Sequence, residues 1–84
     1  MYPEVEEKAK PKFEEFKRKM KEQGYPEKLI DKAIERAKEW VEGFTRMLDH
    51  RHPELVKKAQ EELLEEAISS SERWIKRLYE ALTE

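Results

Sequence analysis

The sequence predicts one all-α domain spanning residues 1–84, an irregular bundle of about five helices joined by short loops. Apolar residues recur at steps of three and four along the whole chain, and no segment alternates apolar and polar residues as a strand does. A chain of 84 residues suffices for a single domain but not for two. Hydrophobic residues make up only 37% of the chain, so nearly all of the large ones must be buried, which leaves little room for a deep ligand cavity.

The first 23 residues are predicted to form two helices, at 3–9 and 11–23, that share one apolar stripe. The stripe consists of Tyr2, Val5, Ala9, Phe13, Phe16 and Met20. Pro11 keeps this stripe in phase, but it cannot donate a hydrogen bond to the carbonyl of Glu7, and it disfavours helix at Lys10. We therefore expect a break near Lys10. The alternative is a four-helix arrangement in which Pro11 only kinks a continuous first helix.

The third helix is predicted at 26–49 and forms the spine of the domain. Gly24 suits the left-handed position just past a helix end, and Pro26 suits the first position of the next helix. The apolar residues of this segment cover about 140° of the helical circumference, which is typical of a helix packed against several others.

Specific places in the fold are expected for three aromatic residues and one glycine. Phe44 is expected to be central to the core. Gly43 costs about 1 kcal/mol relative to Ala inside a helix, and its missing side chain would let a neighbouring helix cross closely. Trp40, three residues earlier, is therefore expected in the core at that crossing, and Trp74 is expected in the core on its own apolar stripe.

Two further helices are predicted at 53–68 and 71–83, with a break at the three consecutive serines between them. If the whole segment after the preceding loop were one helix, Trp74 and the apolar residues after it would extend beyond the end of the spine. Ser69 and Glu72 also fit a capping box, in which each side chain binds a backbone amide at the start of a helix.

The charge balance and composition exclude several classes of function. The 18 basic and 20 acidic residues nearly cancel to a net charge of -2, whereas nucleic-acid binders usually carry a clear basic surplus. No apolar stretch approaches the length of a membrane span, and the N-terminus lacks the features of a signal peptide, so we expect a soluble, cytosolic chain. Without cysteine there is no disulfide, thiolate metal site or thiol nucleophile. No cofactor, nucleic-acid partner or membrane partner is predicted.

No catalytic or cofactor-binding residue is predicted either. His50 and His52 are the only imidazoles, and with Asp49 and Glu54 nearby they could bind a metal only adventitiously, because no pair of ligands projects from one helical face. The serine cluster is better explained by helix capping than by a nucleophile. An acidic cluster is expected to be solvated rather than paired for acid–base chemistry; its members are Glu61, Glu62, Glu65 and Glu66.

Charged and capping residues are placed with high regularity. Three helix starts repeat Pro-Glu, at Pro3, Pro26 and Pro53, and acid–base pairs four residues apart are frequent. Together with 18 Glu, 12 Lys and no Cys or Asn, these features make the chain resemble de novo designed all-α proteins, which follow explicit rules for caps and surface pairs. The resemblance implies a fold without a natural substrate or partner. A small protein from a thermophile is the main alternative, since it would share the Lys and Glu enrichment.

Two functions stay open from the sequence. The first is a stable, designed-like scaffold with a structural role and no catalytic activity, expected as a monomer rather than a homodimer. The second is a small helical interaction module that binds a protein partner through an exposed apolar patch of Leu29, Trp40, Gly43 and Met47. Surface exposure discriminates between them, because a contiguous exposed apolar patch larger than a few hundred Å² indicates a binding surface.

Overall fold

Three helices account for most of the chain. The computed structural model describes residues 1–48 and 50–83, and its helices are α1 (Pro3–Glu22), α2 (Glu27–Thr45) and α3 (Pro53–Thr83). No strand occurs within these two ranges, so the predicted all-α class is confirmed. The predicted count of five helices, or four with a kink, is wrong, because α1 and α3 each join two of the predicted helices.

α1 passes through Pro11 without a break. Its buried residues continue the predicted stripe on both sides of the proline: Val5, Ala9, Phe13, Phe16 and Met20. Pro11 and Glu7 are both exposed, so water can bind the carbonyl that the proline leaves without a helical donor. Burial of this long stripe outweighs the roughly 3 kcal/mol that an interior proline costs.

α3 is continuous through the three serines, so the predicted break and capping box are wrong. Ser69 and Glu72 lie in the middle of the helix rather than at its start. Ser71 is buried, and its Oγ donates to the carbonyl of Ala67 at 2.7 Å, which keeps the hydroxyl paired inside a helix. Glu72 forms an ion pair with Lys19 of α1 instead of a cap.

The relative heights of α2 and α3 explain how one long helix still buries Ile75, although Leu55, Trp74 and Leu82 of the same helix are exposed. Thr45, at the end of α2, lies beside Gln60 rather than beside the first residues of α3. The first turns of α3 therefore extend past α2, and its C-terminal half lies level with the start of α2. Ile75 is fully buried against both other helices, and Tyr79 packs edge-to-face on Tyr25 at 5.2 Å between ring centroids.

α2 ends about one turn before the predicted end of the spine at Asp49, a residue outside the described ranges. The hydroxyl of Thr45 donates to the carbonyl of Val41 at 2.8 Å in the final turn. Met47, the next apolar residue, is 85% exposed. Because the Met47 side chain lies in solvent, extending the helix to include it would bury almost no additional apolar surface.

The helices run up, down and up, with α1 and α3 parallel to each other and α2 antiparallel to both. Two clusters of buried residues follow the axis of this rod, which measures 48 × 22 × 16 Å. The first cluster contains Val5, Ala9, Phe13, Ala37, Val41, Leu64 and Ala67. The second contains Phe16, Met20, Ile30, Ala33 and Ile75.

Ion pairs set the register of α1 against its neighbours. Four pairs with α3 share one sequence separation, 53 residues. They are Glu4 with Lys57, Lys8 with Glu61, Lys12 with Glu65, and Lys19 with Glu72. Each exposed pair contributes little by itself, but a slip of one residue between these parallel helices would break all four. Lys17 also binds α2, at 2.9 Å from Asp31 and 3.1 Å from Glu27, and the hydrogen bond to Asp31 is the main cause of its raised pKa.

Candidate interaction face

A groove runs between α2 and α3, and every residue that lines it belongs to one of these two helices. Its volume is about 610 Å³. The floor is made of small buried side chains, which are Ala33, Ala37, Ala67 and Ser71. The rim is made of exposed side chains, which are Arg36, Glu39, Trp40, Ser70 and Trp74. We name this surface the tryptophan groove.

Two indoles stand on opposite sides of the tryptophan groove. Trp40 is 47% exposed and Trp74 is 43% exposed, so the expectation that both belong to the core is wrong. The alanines of the floor bring α2 and α3 close together, and a seam of methyl groups has no volume for an indole. Both rings consequently lie at the edge of the seam, with about half of each side chain in solvent.

Phe44 extends the aromatic surface along α2. Its side chain is 52% exposed, and its ring centroid lies 5.9 Å from that of Trp40. The expectation that Phe44 is central to the core is therefore wrong. At this level of α2 the core is filled by Val41 and Thr45, which are almost completely buried.

The remaining residues of the predicted patch do not join the groove. An added Cβ at Gly43 would meet no atom of the described residues within 4 Å, so the expected helix crossing at this glycine is wrong. Leu29 is half-buried and packs against the second core cluster. Met47 is exposed beyond the end of α2. Of the four predicted patch residues, only Trp40 lines the tryptophan groove.

Sequence reasoning missed that Trp74 and Phe44 belong with Trp40. A signal was present in the small residues: α2 carries alanines one turn apart at Ala33 and Ala37, and α3 carries Ala67 one turn before Ser71. Two small-residue pairs of this kind indicate a closely packed helix seam, and large side chains beside such a seam are displaced toward solvent.

The flank of α3 toward α1 and the outer face of the same helix differ in charge pairing. On the flank toward α1, Glu61 and Glu65 are ion-paired with lysines of α1, and the hydrogen bond from Lys12 lowers the pKa of Glu65. On the outer face of α3, between that flank and the tryptophan groove, no ion pair within the described parts of the chain involves any of four charged residues. These are Glu62, Glu66, Arg73 and Arg77. Glu62 and Glu66 are exposed, as predicted for the acidic cluster.

Both ring nitrogens of His50 are engaged by the protein. Nε2 donates to the carbonyl of Thr45 at 3.2 Å, because a carbonyl can only accept, and Nδ1 shares a hydrogen bond with the hydroxyl of Tyr2 at 3.3 Å. The carbonyl of His52 accepts the first backbone bonds of α3. Among residues 1–48 and 50–83, no group of three or more His, Asp or Glu side chains is placed to hold a metal ion. Asp49, the further predicted ligand, lies outside these ranges.

None of the helices, over their described residues, is both long and apolar enough to cross a membrane. The chain matches no protein-family model, no curated protein and no solved structure.

Proposed function

We propose that this chain is a non-catalytic helical scaffold whose tryptophan groove binds the surface of a helical protein partner. Three large aromatic rings, each about half exposed, carry the proposal: Trp40 and Trp74 on the rim of the groove, and Phe44 beside Trp40. Trp and Arg are enriched among the residues that dominate binding energy at protein interfaces. Arg36 supplies an arginine on the rim.

The exposed aromatic surface is large enough for a binding role. Aromatic side chains each present roughly 150–250 Å², so half exposure of three rings leaves roughly 300 Å² in solvent. On monomeric proteins, the largest apolar patches are roughly 300–600 Å² and are often functional. Met47, Leu48 and Leu55 add exposed apolar surface at the same end of the bundle as Phe44.

The shape of the tryptophan groove favours an α-helix as the ligand. Its walls are two antiparallel helices, and its floor of Ala and Ser lets a third helix approach closely. A helix with apolar residues at positions i, i+3, i+4 and i+7 could place them between Trp40 and Trp74. Glu39, Ser70 and Arg36 on the rim supply hydrogen-bonding groups for polar residues that flank the ligand's apolar face.

The resemblance to designed all-α proteins stays a prediction about origin. It accounts for the paired charges along α1, which serve folding, but it implies no natural partner, so the binding proposal rests on the exposed aromatic rings. The purely structural scaffold that the sequence left open does not by itself account for an exposed aromatic cluster.

Selection from a displayed library of amphipathic helical peptides tests this function. We expect enriched peptides whose affinity for the folded protein falls about tenfold or more with Trp40→Ala and with Trp74→Ala. The matched control is Leu82→Ala, which removes an apolar side chain that is 72% exposed at the end of α3 and should leave peptide affinity unchanged. Circular dichroism verifies that each variant is folded. If no peptide is enriched, or if the enriched peptides bind both tryptophan variants as well as the parent, the binding function is wrong.

A further inference from the structure

Five exposed residues of α3 form a stripe along the outer face of this helix, which we name the charge stripe. They are Glu62, Glu66, Ser70, Arg73 and Arg77. Spacings of three and four place them on one helical face, and Ser70 also belongs to the rim of the groove. The charge stripe is acidic in its first half and basic in its second half, with a small residue near its centre.

The charge stripe is unfavourable within a single molecule. Glu62 and Glu66 lie four residues apart, as do Arg73 and Arg77, so each pair brings like charges together on the helix surface. In the part of the chain that the structure describes, no ion pair relieves them. The helix dipole does not account for their order either, because all four lie more than one turn from an end of α3.

A second copy of this chain supplies the missing counter-charges. In an isologous contact, a residue of one copy meets a different residue of the other, and the same pair forms again by symmetry. If two α3 helices cross antiparallel near Ser70, Glu66 faces Arg73 of the second copy and Glu62 faces Arg77 of the second copy. A parallel contact would instead place Glu against Glu and Arg against Arg.

The same two-fold symmetry places the tryptophans of the two copies at matching levels along the helix axis. Thr45 lies beside Gln60 in the antiparallel pair of α2 and α3, so Trp40 lies level with about residue 65 of α3. That level is about four to five residues, or roughly 7 Å along the axis, from the centre of the charge stripe. Trp74 lies about as far from the centre in the other direction. An antiparallel second copy therefore brings Trp40 of each molecule to the level of Trp74 of the other.

We propose that a second copy of this chain docks antiparallel on the α2–α3 face, with the charge stripes crossed near Ser70 and the tryptophan grooves facing each other. This dimer uses the face assigned in the proposed function, on which the inference rests, and it names the partner as the chain itself. The exposed aromatic surface of roughly 300 Å² is well below the ~800 Å² that each partner buries in a standard interface, and the rest of the contact is polar or charged. We therefore expect a weak dimer that forms at micromolar or higher concentration.

Sedimentation velocity over micromolar to millimolar concentrations tests the dimer. We expect the mass to rise from one chain to two. Glu62→Arg combined with Glu66→Arg should hold the chain as a monomer, because it places arginines against Arg73 and Arg77 of the second copy. Adding Arg73→Glu and Arg77→Glu to the same chain inverts the whole stripe and should restore the dimer. Restoration is specific to antiparallel pairing, since a parallel contact would again bring like charges together.

Matched controls separate this arrangement from general charge effects. Glu6→Arg combined with Glu14→Arg makes the same charge change at exposed positions of α1 and should leave the dimer intact. Circular dichroism verifies that every variant is folded. A parent chain that stays monomeric at millimolar concentration, or an inverted stripe that does not recover the dimer, overturns the inference.

The two proposals fail in distinguishable ways. If only the inference is wrong, the chain is a monomer whose tryptophan groove still binds selected peptides. If the proposed function is wrong, Trp40→Ala and Trp74→Ala change neither peptide binding nor self-association, and any dimer then uses a face other than the one proposed.

Discussion

Gln60 on α3 donates a hydrogen bond from Nε2 to Oγ1 of Thr45 at the end of α2, over 3.3 Å, with both side chains buried. The Oε1 of the same amide accepts from the backbone N–H of Tyr2 at 3.2 Å. Because Tyr2 is the N-cap residue of α1, one glutamine joins all three helices at this end of the bundle. Thr45 in turn donates to the carbonyl of Val41, so each polar group in this buried network has a partner.

Replacing Gln60 by Met should lower the free energy of unfolding by about 1–2 kcal/mol. Methionine keeps the size of the side chain but removes the acceptor for the Tyr2 N–H and the donor to Thr45. Urea denaturation followed by circular dichroism measures the change. The control Gln23→Met, at an exposed position just after α1, should change stability by less than about 0.5 kcal/mol. An unchanged or higher stability for Gln60→Met would show that the network does not stabilise the fold.

Replacing Gly43 by Ala should raise the free energy of unfolding by about 1 kcal/mol, because alanine favours helix and the added methyl group meets open space. Gly24→Ala is the matched comparison. Gly24 also has open space around it, but its φ of 92° lies in the left-handed region, so alanine there should cost about 1–2 kcal/mol. Thermal denaturation of both variants measures the contrast. Destabilisation by Gly43→Ala would contradict the open environment of this glycine.

Replacing Phe44 by Ala should lower the free energy of unfolding by only about 1 kcal/mol, since its side chain is 52% exposed. Phe13→Ala removes the same ring from the core, where it is 7% exposed, and should cost about 3–5 kcal/mol. Chemical denaturation of the two variants under one set of conditions gives the comparison. Equal losses would mean that Phe44 contributes to the core in solution.

The pKa of the Glu65 carboxyl should depend on Lys12, whose Nζ lies 2.9 Å from Oε1 of Glu65. The hydrogen bond from Lys12 lowers the pKa of Glu65 below its ordinary value of 4.5 in the folded chain. The pair therefore stabilises the fold above the ordinary pKa, and this contribution is lost as the pH falls through the lower folded-state pKa. Carbon-13 NMR of the Glu65 carboxyl measures the midpoint. Lys12→Met should return the midpoint toward 4.5, and an unaltered midpoint would exclude the pair as its cause.

The boundaries predicted from local signals failed at Pro11 and at the serines of α3 for one physical reason. A proline or a serine run disfavours helix by a few kcal/mol at most, whereas continuous apolar stripes on both sides of it bury several large side chains. The stripe of α1 keeps its phase through Pro11, and Ile75 beyond the serines is fully buried. Packing of the stripes therefore prevails over the local preference to end the helix.

The candidate site was only partly predictable from the sequence. Trp40 could be recognised as a residue suited to binding, because tryptophan on an apolar stripe serves cores and interfaces alike. The exposure of Trp40 and its grouping with Phe44 and Trp74 could not be predicted from the sequence. Both depend on how closely the alanine-lined seam brings α2 and α3 together.

By itself, the sequence determined the helical class, the buried stripe of α1 and the turn at Gly24. Periodicity and backbone conformation are properties of adjacent residues, so a local pattern is sufficient for them. Only the tertiary structure decided which sides of the helices are covered. α3 begins before the level at which α2 ends, and that offset places Ile75 in the core, whereas the alanine-lined seam between α2 and α3 leaves Trp40 half in solvent. The burial of a side chain depends on where neighbouring helices lie, and their positions follow from packing the whole chain rather than from the propensity of any one segment.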